Sequence, residues 1–290
     1  MLITSLKNTP YFDIHTTFLK AFSDYQLPIK VTEKQFKFEN IQKGVDLNSS
    51  FGAFNDNDEL VGFILCGKQV KGNAPIYYNG ATGVIPSYRG RHIGTKLLKT
   101  AINDSIYNKA NSFILEVLNE NVKAYNLYSS KGFFKTKDLL CYQKSIESIE
   151  DYNTNLYSLL TPTLNEFELI LSKLSLPFEP SWQNSFFAVS NIFDSLVIKV
   201  LCKQNKKIGF IVLNPNTGQI LQISAKDNSL KIIKTLIYFA KSMTKTDKLR
   251  FINIDSNSLL SSILCNNEWE LFAKQFEMQL ILALYTTINN

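Results

Sequence analysis

The residues best suited to chemistry lie between positions 83 and 99, where a basic loop separates two predicted elements. The β-branched pair Val84-Ile85 is typical of the end of a strand, and Pro86 stops that strand because proline donates no hydrogen bond to a sheet. Beyond the loop, apolar residues recur at helical spacing: Leu97, Leu98, Ala101, Ile102 and Ile106. The segment therefore predicts a strand, a basic loop and a helix, in that order.

The loop has the sequence Arg89-Gly90-Arg91-His92-Ile93-Gly94. The first N–H groups of a helix have no internal partner and the helix dipole is positive there, so that end stabilises an anion. Glycine lets a phosphate approach these amides closely, and arginine binds phosphate through two parallel hydrogen bonds. Taken alone, Gly90 and Gly94 fit equally well as turn and cap residues. With the arginines beside them, they predict a site for a ligand that carries a pyrophosphate.

The spacing resembles motif A of the GNAT superfamily of N-acetyltransferases, in which Arg/Gln-x-x-Gly-x-Gly/Ala follows a strand ending in Val-x-Pro. Residues 84–86 and 89–94 match this pattern with one departure, because His92 stands where the family usually has its first glycine. A second family pattern, Asn-x-x-Ala-x-x-Leu-Tyr-x-x-x-Gly-Phe, follows a strand-like run at residues 113–117. Its matching residues are Asn121, Ala124, Leu127, Tyr128, Gly132 and Phe133.

The resemblance implies an α/β (α+β) fold, with a mixed, mostly antiparallel sheet flanked by helices, and acetyl-CoA as the co-substrate. In such enzymes a backbone N–H, here near Val84 or Ile85, stabilises the oxyanion, and a tyrosine, here Tyr128, protonates the departing thiolate. Asn121 corresponds to a residue that binds the pantetheine arm. The positions that the resemblance places at the cofactor are Val84, Ile85, Arg89, Gly90, Arg91, His92, Ile93, Gly94, Thr95 and Asn121.

The acceptor pocket and the general base follow less directly from the resemblance. In GNAT enzymes the first helices line the acceptor pocket, which implicates Phe22, Asp24 and Tyr25, although Asp24 fits equally well as a helix-terminating residue. Many relatives use a glutamate on the strand before the loop, but residues 77–83 contain no carboxylate. Glu116 on the next predicted strand is one candidate for the base. An ordered water relay and the free amine of the substrate are the others.

His92 is the departure with the greatest consequence for the predicted phosphate loop. The glycine that it replaces is suited to a left-handed backbone, which histidine adopts only with strain. Its imidazole offers a further donor to the phosphates. Because Arg89, Gly90 and Gly94 remain, we expect the loop to tolerate the histidine.

Composition excludes several other classes of function. The 290 residues carry a formal net charge of +6 with dispersed basic residues, so no nucleic-acid partner is predicted. No apolar run approaches the roughly 18 residues of a membrane helix, and no signal peptide is evident, so a cytoplasmic location is expected. The four cysteines are widely spaced and only two histidines are present, so reduced thiols and no metal site are predicted.

The length suits two domains, and a polar stretch near residue 150 predicts a first domain at 1–147 and a second at 148–290. Residues 207–212 echo 60–65, residues 230–240 supply a helix, and residues 251–254 echo 113–117. The second half lacks glycine and arginine between residues 224 and 231, where the phosphate loop belongs. It is either a degenerate second GNAT copy or an unrelated α/β domain. In both cases we expect it not to bind CoA.

These patterns predict an N-acetyltransferase that moves an acetyl group from acetyl-CoA to a primary amine, with a small molecule as the expected acceptor. The absence of a long charged groove signature for peptides favours the small molecule. Acetylation of protein N-termini or lysines is a second hypothesis. A non-catalytic acyl-CoA-binding or scaffold protein is a third, supported by His92 and by the missing base.

Overall fold

The computed structural model describes residues 1–24, 30–72, 74–174, 176 and 178–289. Within these residues the chain forms two compact units. The first unit consists of Met1–Thr136 together with Glu277–Asn290, and the second consists of Lys137–Phe276.

The first ten helices and strands lie within residues 2–145. In chain order they are β1 (Leu2–Ser5), α1 (Tyr11–Ala21), α2 (Glu33–Gln42), β2 (Phe51–Phe54), β3 (Leu60–Lys71), β4 (Ala74–Val84), α3 (Ile93–Tyr107), β5 (Ser112–Leu118), α4 (Val122–Ser129) and β6 (Phe134–Ser145). The strand, loop and helix predicted for residues 83–106 are thus the end of β4, the loop after it and α3.

The remaining elements repeat much of this order. They are β7 (Ser158–Leu160), α5 (Leu164–Lys173), α6 (Phe186–Asn191), β8 (Val197–Lys203), β9 (Lys206–Asn214), β10 (Gln219–Ala225), α7 (Leu230–Met243), β11 (Lys248–Asp255), α8 (Leu259–Asn266), β12 (Glu270–Ile281) and α9 (Leu282–Asn289). The series from β9 to β12 has the same sequence of strands and helices as the series from β3 to β6.

Each unit has a mixed sheet in which antiparallel pairs predominate. In the first unit the strands lie in the order β1-β2-β3-β4-β5, and only β4 and β5 are parallel among these pairs of described strands. In the second unit the order is β6-β11-β10-β9-β8-β7, and β10 and β11 form the parallel pair. Parallel neighbours need a crossover connection, which α3 and α7 provide. The predicted mixed, mostly antiparallel sheet flanked by helices is confirmed.

Apolar stripes on the helices place them against the sheets. Helix α1 packs its buried face against β3, where Phe18 and Phe63 lie with ring centroids 6.0 Å apart, and Phe36 of α2 joins the same cluster. Helix α7 buries Ile233, Leu236 and other apolar residues against strands of the second unit. Burial of this kind, rather than helix propensity, provides most of the stability of such helices.

The two compact units divide the chain differently from the predicted boundary. Strand β6 begins in the first unit and continues in the second, and β12 begins in the second and ends in the first. The C-terminal segment therefore returns to the first unit, which a single boundary at residue 147 does not anticipate. A strand pairs with segments that are distant in the sequence. The residues around a strand therefore do not determine which compact unit the strand belongs to. The boundary between residues 147 and 148 stays a prediction about where one sequence copy ends.

Candidate active site

A cleft opens in the first unit between the parallel strands β4 and β5. Their pairing runs from Ile76–Ser112 to Asn79–Leu115, and beyond that point both strands continue without pairing to each other. The register between β3 and β4 shifts at the same level, next to Asn79, as expected for a β-bulge. Beyond Asn79, the edge of β4 that pairs with β5 has no partner among the strands that the structure describes.

Beyond the bulge, alternate residues of β4 direct their N–H groups away from β3. The N–H of Ile85 donates to the carbonyl oxygen of Val61 at 3.0 Å, so it is already used in the sheet. In an antiparallel ladder this bond makes Gly62 and Val84 a non-hydrogen-bonded pair, so the N–H of Val84 points away from β3. Of the two residues expected to stabilise an oxyanion, Val84 thus has the suitable orientation.

The loop after β4 leads from the cleft to the first turn of α3. Gly90 has φ +76°, and a Cβ added there would meet no atom within 4 Å. A Cβ at Gly94 would lie 3.8 Å from Leu127 Cδ2 and 4.0 Å from Val84 Cγ2, so Gly94 borders the space between β4 and α4. The N–H of Lys96 is the first intrahelical donor of α3 and bonds the carbonyl oxygen of His92 at 3.0 Å. The N–H groups of Ile93, Gly94 and Thr95 precede it, at the helix end that stabilises an anion.

His92 occupies the last position before α3 in a left-handed conformation, with φ 58° and ψ 18°. This is the backbone shape for which glycine is suited, as the sequence predicted, and it carries a strain of about 1 kcal/mol for other residues. The side chain is exposed. The loop thus keeps its shape in spite of the histidine.

The guanidinium of Arg89 is engaged in the protein rather than directed at the loop amides. It bonds both oxygens of Asp24, at 2.6 and 2.8 Å, and also the carbonyl oxygens of Ala21 at 2.8 Å and Val84 at 3.1 Å. The ion pair lowers the pKa of the Asp24 carboxyl and raises that of Arg89. Asp24 supplies a carboxylate that matches the fork of the guanidinium, and the role of Arg89 at the phosphate stays a prediction.

The structure also locates Arg91 of the loop and two of the three residues that were predicted to line the acceptor pocket. Arg91 is exposed and lies over the Tyr88 ring at 5.2 Å. Phe22 is half-buried against Phe18, with ring centroids 4.9 Å apart, at the end of α1. Asp24 is tied to Arg89 and so braces the loop. Tyr25 lies outside the described residues.

Asn121 and Tyr128 lie at opposite ends of helix α4. Asn121 caps the helix, because its side-chain oxygen accepts the N–H of Ala124 at 3.2 Å. Tyr128 is buried against Phe133, and its hydroxyl oxygen accepts a hydrogen bond of 3.3 Å from the amide of Asn79. Thr82 in turn donates to Asn79 Oδ1 at 2.9 Å. The sequence analysis did not identify Asn79 or Thr82.

Tyr78 and Glu116 meet on the opposite face of the sheet. Tyr78 pairs with Ile114, and Glu116 lies two residues further along β5, so its side chain points to the same face as that of Tyr78. The Tyr78 hydroxyl donates to Glu116 Oε2 at 2.7 Å. Tyr78 and its pairing with Glu116 were missed, because the register of two parallel strands is not visible in the sequence.

The corresponding cleft of the second unit is bridged by the protein itself. Strands β10 and β11 pair only at Gln219 and Arg250, and the buried Asn184 lies between the strands. Asn184 Nδ2 donates to the carbonyl oxygen of Ile252 at 2.6 Å, and Asn184 Oδ1 accepts from Gln219 at 3.1 Å. Its backbone oxygen accepts from the side chain of Gln222 at 2.6 Å. In the second unit, side-chain hydrogen bonds thus lie at the position where β4 of the first unit has an unpaired edge.

Two further properties of the described residues bear on the site. No three His, Cys, Asp or Glu side chains in this part of the chain are grouped so that they could hold a metal ion. None of the helices traced in the structure is long and apolar enough to span a membrane. His15, the second histidine, is buried and its Nε2 lies 2.9 Å from the carbonyl oxygen of Val31, which is a structural role.

The first unit combines parallel strands that separate, a glycine-bearing loop and a helix N-terminus. Residues 13–133 match the profile of the acetyltransferase (GNAT) family. Residues 13–133 are therefore similar to GNAT acetyltransferases, and the fold of the chain is similar to that of a tandem GNAT protein. This confirms the resemblance and favours a degenerate second copy over an unrelated domain.

Known proteins resemble the chain in part of its sequence or in its fold. The chain is 33% identical over 86 residues to N-alpha-acetyltransferase 30 of Dictyostelium discoideum, covering 30% of this chain and 46% of that relative. It superposes on a tandem GNAT protein from the clavulanic acid biosynthesis pathway with TM-score 0.68 and 12% identity, covering 97% and 98% of the two chains. A GCN5-related N-acetyltransferase of Sphaerobacter thermophilus gives TM-score 0.70 and 9% identity over 97% and 95%.

Proposed function

We propose that the first unit transfers an acetyl group from acetyl-CoA to a primary amine. The observation that carries the proposal is the separation of β4 and β5 beyond Asn79 and Leu115, because it gives a thioester access to both faces of the sheet. Tyr128 lies on one face and Glu116 on the other. A proton donor and a proton acceptor on opposite sides of one cleft suit an acyl transfer in which the amine and the thiol occupy opposite sides of the carbonyl.

The chain offers suitable groups for each part of acetyl-CoA. The first-turn amides of Ile93, Gly94 and Thr95 would bind the pyrophosphate, with the exposed Arg91 adding charge. Asn121 retains amide donors for the pantetheine arm while its oxygen caps α4. Arg89 would serve the phosphates indirectly, because it fixes the loop to the end of α1.

The reaction itself would use three groups of the chain. The Glu116 carboxylate takes a proton from the amine as the new N–C bond forms, and Tyr78 holds that carboxylate in place. The N–H of Val84 stabilises the negative charge that develops on the carbonyl oxygen. The C–S bond then breaks, and Tyr128 gives its proton to the departing sulfur. Glu116 thus takes the role of the general base, which the sequence left open among three candidates.

The acceptor belongs to one of two classes of amine. A small-molecule amine is the acceptor expected from the sequence. The α-amine of a polypeptide is the second candidate, because the relative from Dictyostelium discoideum is named an N-alpha-acetyltransferase. The chain spans less than half of that relative's length, so its substrate is a proposal for this chain rather than a property of it.

Mass spectrometry of acetylated products tests the proposal and separates the acceptor classes. The purified full chain is incubated with acetyl-CoA and either a panel of small primary amines or peptides with free N-termini, and N-terminally blocked peptides serve as the control. Products that depend on Glu116 would support the proposal. Binding of acetyl-CoA with no product from either panel would instead favour the non-catalytic acyl-CoA-binding protein.

A further inference from the structure

Asn79 is a buried amide at a position where β4 packs against α4. Its side chain is 6% exposed, and the Tyr128 that it contacts is 7% exposed. A buried amide is costly unless its donors and acceptors are used, so a position that served only packing would favour an apolar residue. Here both ends of the amide are bonded, to Thr82 and to Tyr128.

The hydrogen bond from Thr82 fixes the orientation of the amide. The Thr82 hydroxyl donates to Asn79 Oδ1 at 2.9 Å, so the NH₂ group of Asn79 is the one directed at Tyr128. The Asn79 Nδ2 lies 3.3 Å from the Tyr128 hydroxyl oxygen, which accepts the bond. An N–H directed at a phenol oxygen stabilises the negative charge left there when the phenol gives up its proton.

We propose that Asn79, oriented by Thr82, is a positioning residue that supports proton donation by Tyr128. The inference rests on the proposed function, because it assigns a role within that reaction. Asn79 acts through the Tyr128 oxygen and touches neither the amine nor the thioester. As Tyr128 transfers its proton to the departing sulfur, the O–H bond breaks and an S–H bond forms, while the Asn79 N–H keeps its hydrogen bond to the oxygen that becomes the phenolate.

A double-mutant cycle tests whether Asn79 acts through the Tyr128 hydroxyl. Asn79→Leu removes the amide at similar volume, and Tyr128→Phe removes only the oxygen. We expect Asn79→Leu to lower kcat about 10-fold, the value of one ordinary hydrogen bond, with the KM for acetyl-CoA changed less than about 2-fold. In the Tyr128→Phe background the same change should have no further effect on kcat, because the oxygen on which it acts is gone.

Thr82 supplies a second pair of variants that leaves Asn79 in place. Thr82→Val removes the hydroxyl isosterically, and Thr82→Ser retains it. We expect kcat to fall in Thr82→Val and to be restored in Thr82→Ser, which a purely steric role would not produce. These variants also keep the proposal testable if Asn79→Leu fails to fold, which thermal melting followed by circular dichroism would reveal.

A readout independent of turnover separates this inference from the proposed function. In protein labelled with [¹³Cζ]tyrosine, the Tyr128 resonance is identified by its loss in Tyr128→Phe, and it should move in Asn79→Leu and in Thr82→Val. A wild-type protein that acetylates no amine contradicts the proposed function, whatever this resonance does. Additive losses of kcat in the double variant, or a raised KM for acetyl-CoA with unchanged kcat, contradict the role of Asn79 and leave the proposed function intact.

Discussion

Tyr78 and Glu116 are joined by a 2.7 Å hydrogen bond between neighbouring parallel strands, next to the point where those strands separate. Tyr78 is almost fully buried, so the carboxylate of Glu116 is held by a rigid partner. The pair lies on the opposite face of the sheet from Tyr128. In the proposed acyl transfer, this arrangement would provide the acid and the base from two different elements.

The base is tested by Glu116→Gln, which keeps the shape of the side chain and removes its ability to accept a full proton. We expect kcat to fall about 100-fold or more, the usual contribution of a general base, while acetyl-CoA binds as before. Glu120→Gln is the matched control, because Glu120 is exposed just beyond the end of β5. Equal activity of the two variants would show that Glu116 is not the general base. It would favour a reaction in which the amine loses its proton to water.

The Asp24–Arg89 ion pair predicts a pH dependence of stability. The ion pair lowers the pKa of Asp24, so its contribution is complete above the ordinary value of 3.8 and is lost as the pH falls through the lowered native pKa. Both side chains are largely exposed, so we expect a small effect. We expect the Tm of the wild type to exceed that of Asp24→Asn near pH 6. This difference in Tm should disappear as the pH falls to about 2. Parallel curves for the two proteins over this range would contradict the prediction.

His92 allows backbone strain to be separated from side-chain chemistry. His92→Gly removes the cost of a left-handed residue, so we expect the protein to gain about 0.5–1 kcal/mol in unfolding free energy. His92→Ala keeps the strain and removes only the imidazole. If the histidine is merely tolerated, both variants should bind acetyl-CoA within about 3-fold of wild type, because Gly90 and the first-turn amides remain. Loss of binding in both variants would show that the imidazole binds the ligand.

Because buried hydrogen bonds of Asn184 bridge the strands of the second unit, we expect that unit to have a structural role. Asn184→Ala leaves the Ile252 carbonyl and the Gln219 amide without their buried partner, which should cost about 1–3 kcal/mol in unfolding free energy. The exposed Asn257 provides the control substitution Asn257→Ala. Urea unfolding monitored by circular dichroism gives the stability, and product formation gives kcat. A lower kcat in folded Asn184→Ala would mean that the second unit takes part in the reaction.

The sequence predicted local elements of the site more readily than long-range pairs. Val84-Ile85-Pro86 and the apolar spacing of α3 are local signals, and they locate the loop correctly. The left-handed backbone at His92 followed from the glycine that it replaces. These features depend on neighbours in sequence, where dihedral preferences and helical periodicity act.

Other parts of the site depend on residues that are distant in sequence. The partner of Arg89 is Asp24, 65 residues away, and only the folded chain brings the two together. The pairing of Tyr78 with Glu116 requires the register of β4 against β5, and that register is interrupted by a bulge on the other side of β4. The return of the C-terminal segment to the first unit depends on strand pairing in the same way.

A calorimetric titration of the full chain with acetyl-CoA tests the central claim most directly. We predict one site per chain, because the first unit has an open cleft and the second unit's cleft is bridged by Asn184. Gly94→Trp should abolish binding by filling the space between Val84 and Leu127, and Leu230→Trp at the start of α7 should leave it unchanged. Two sites per chain, or binding that survives in folded Gly94→Trp, would contradict the account.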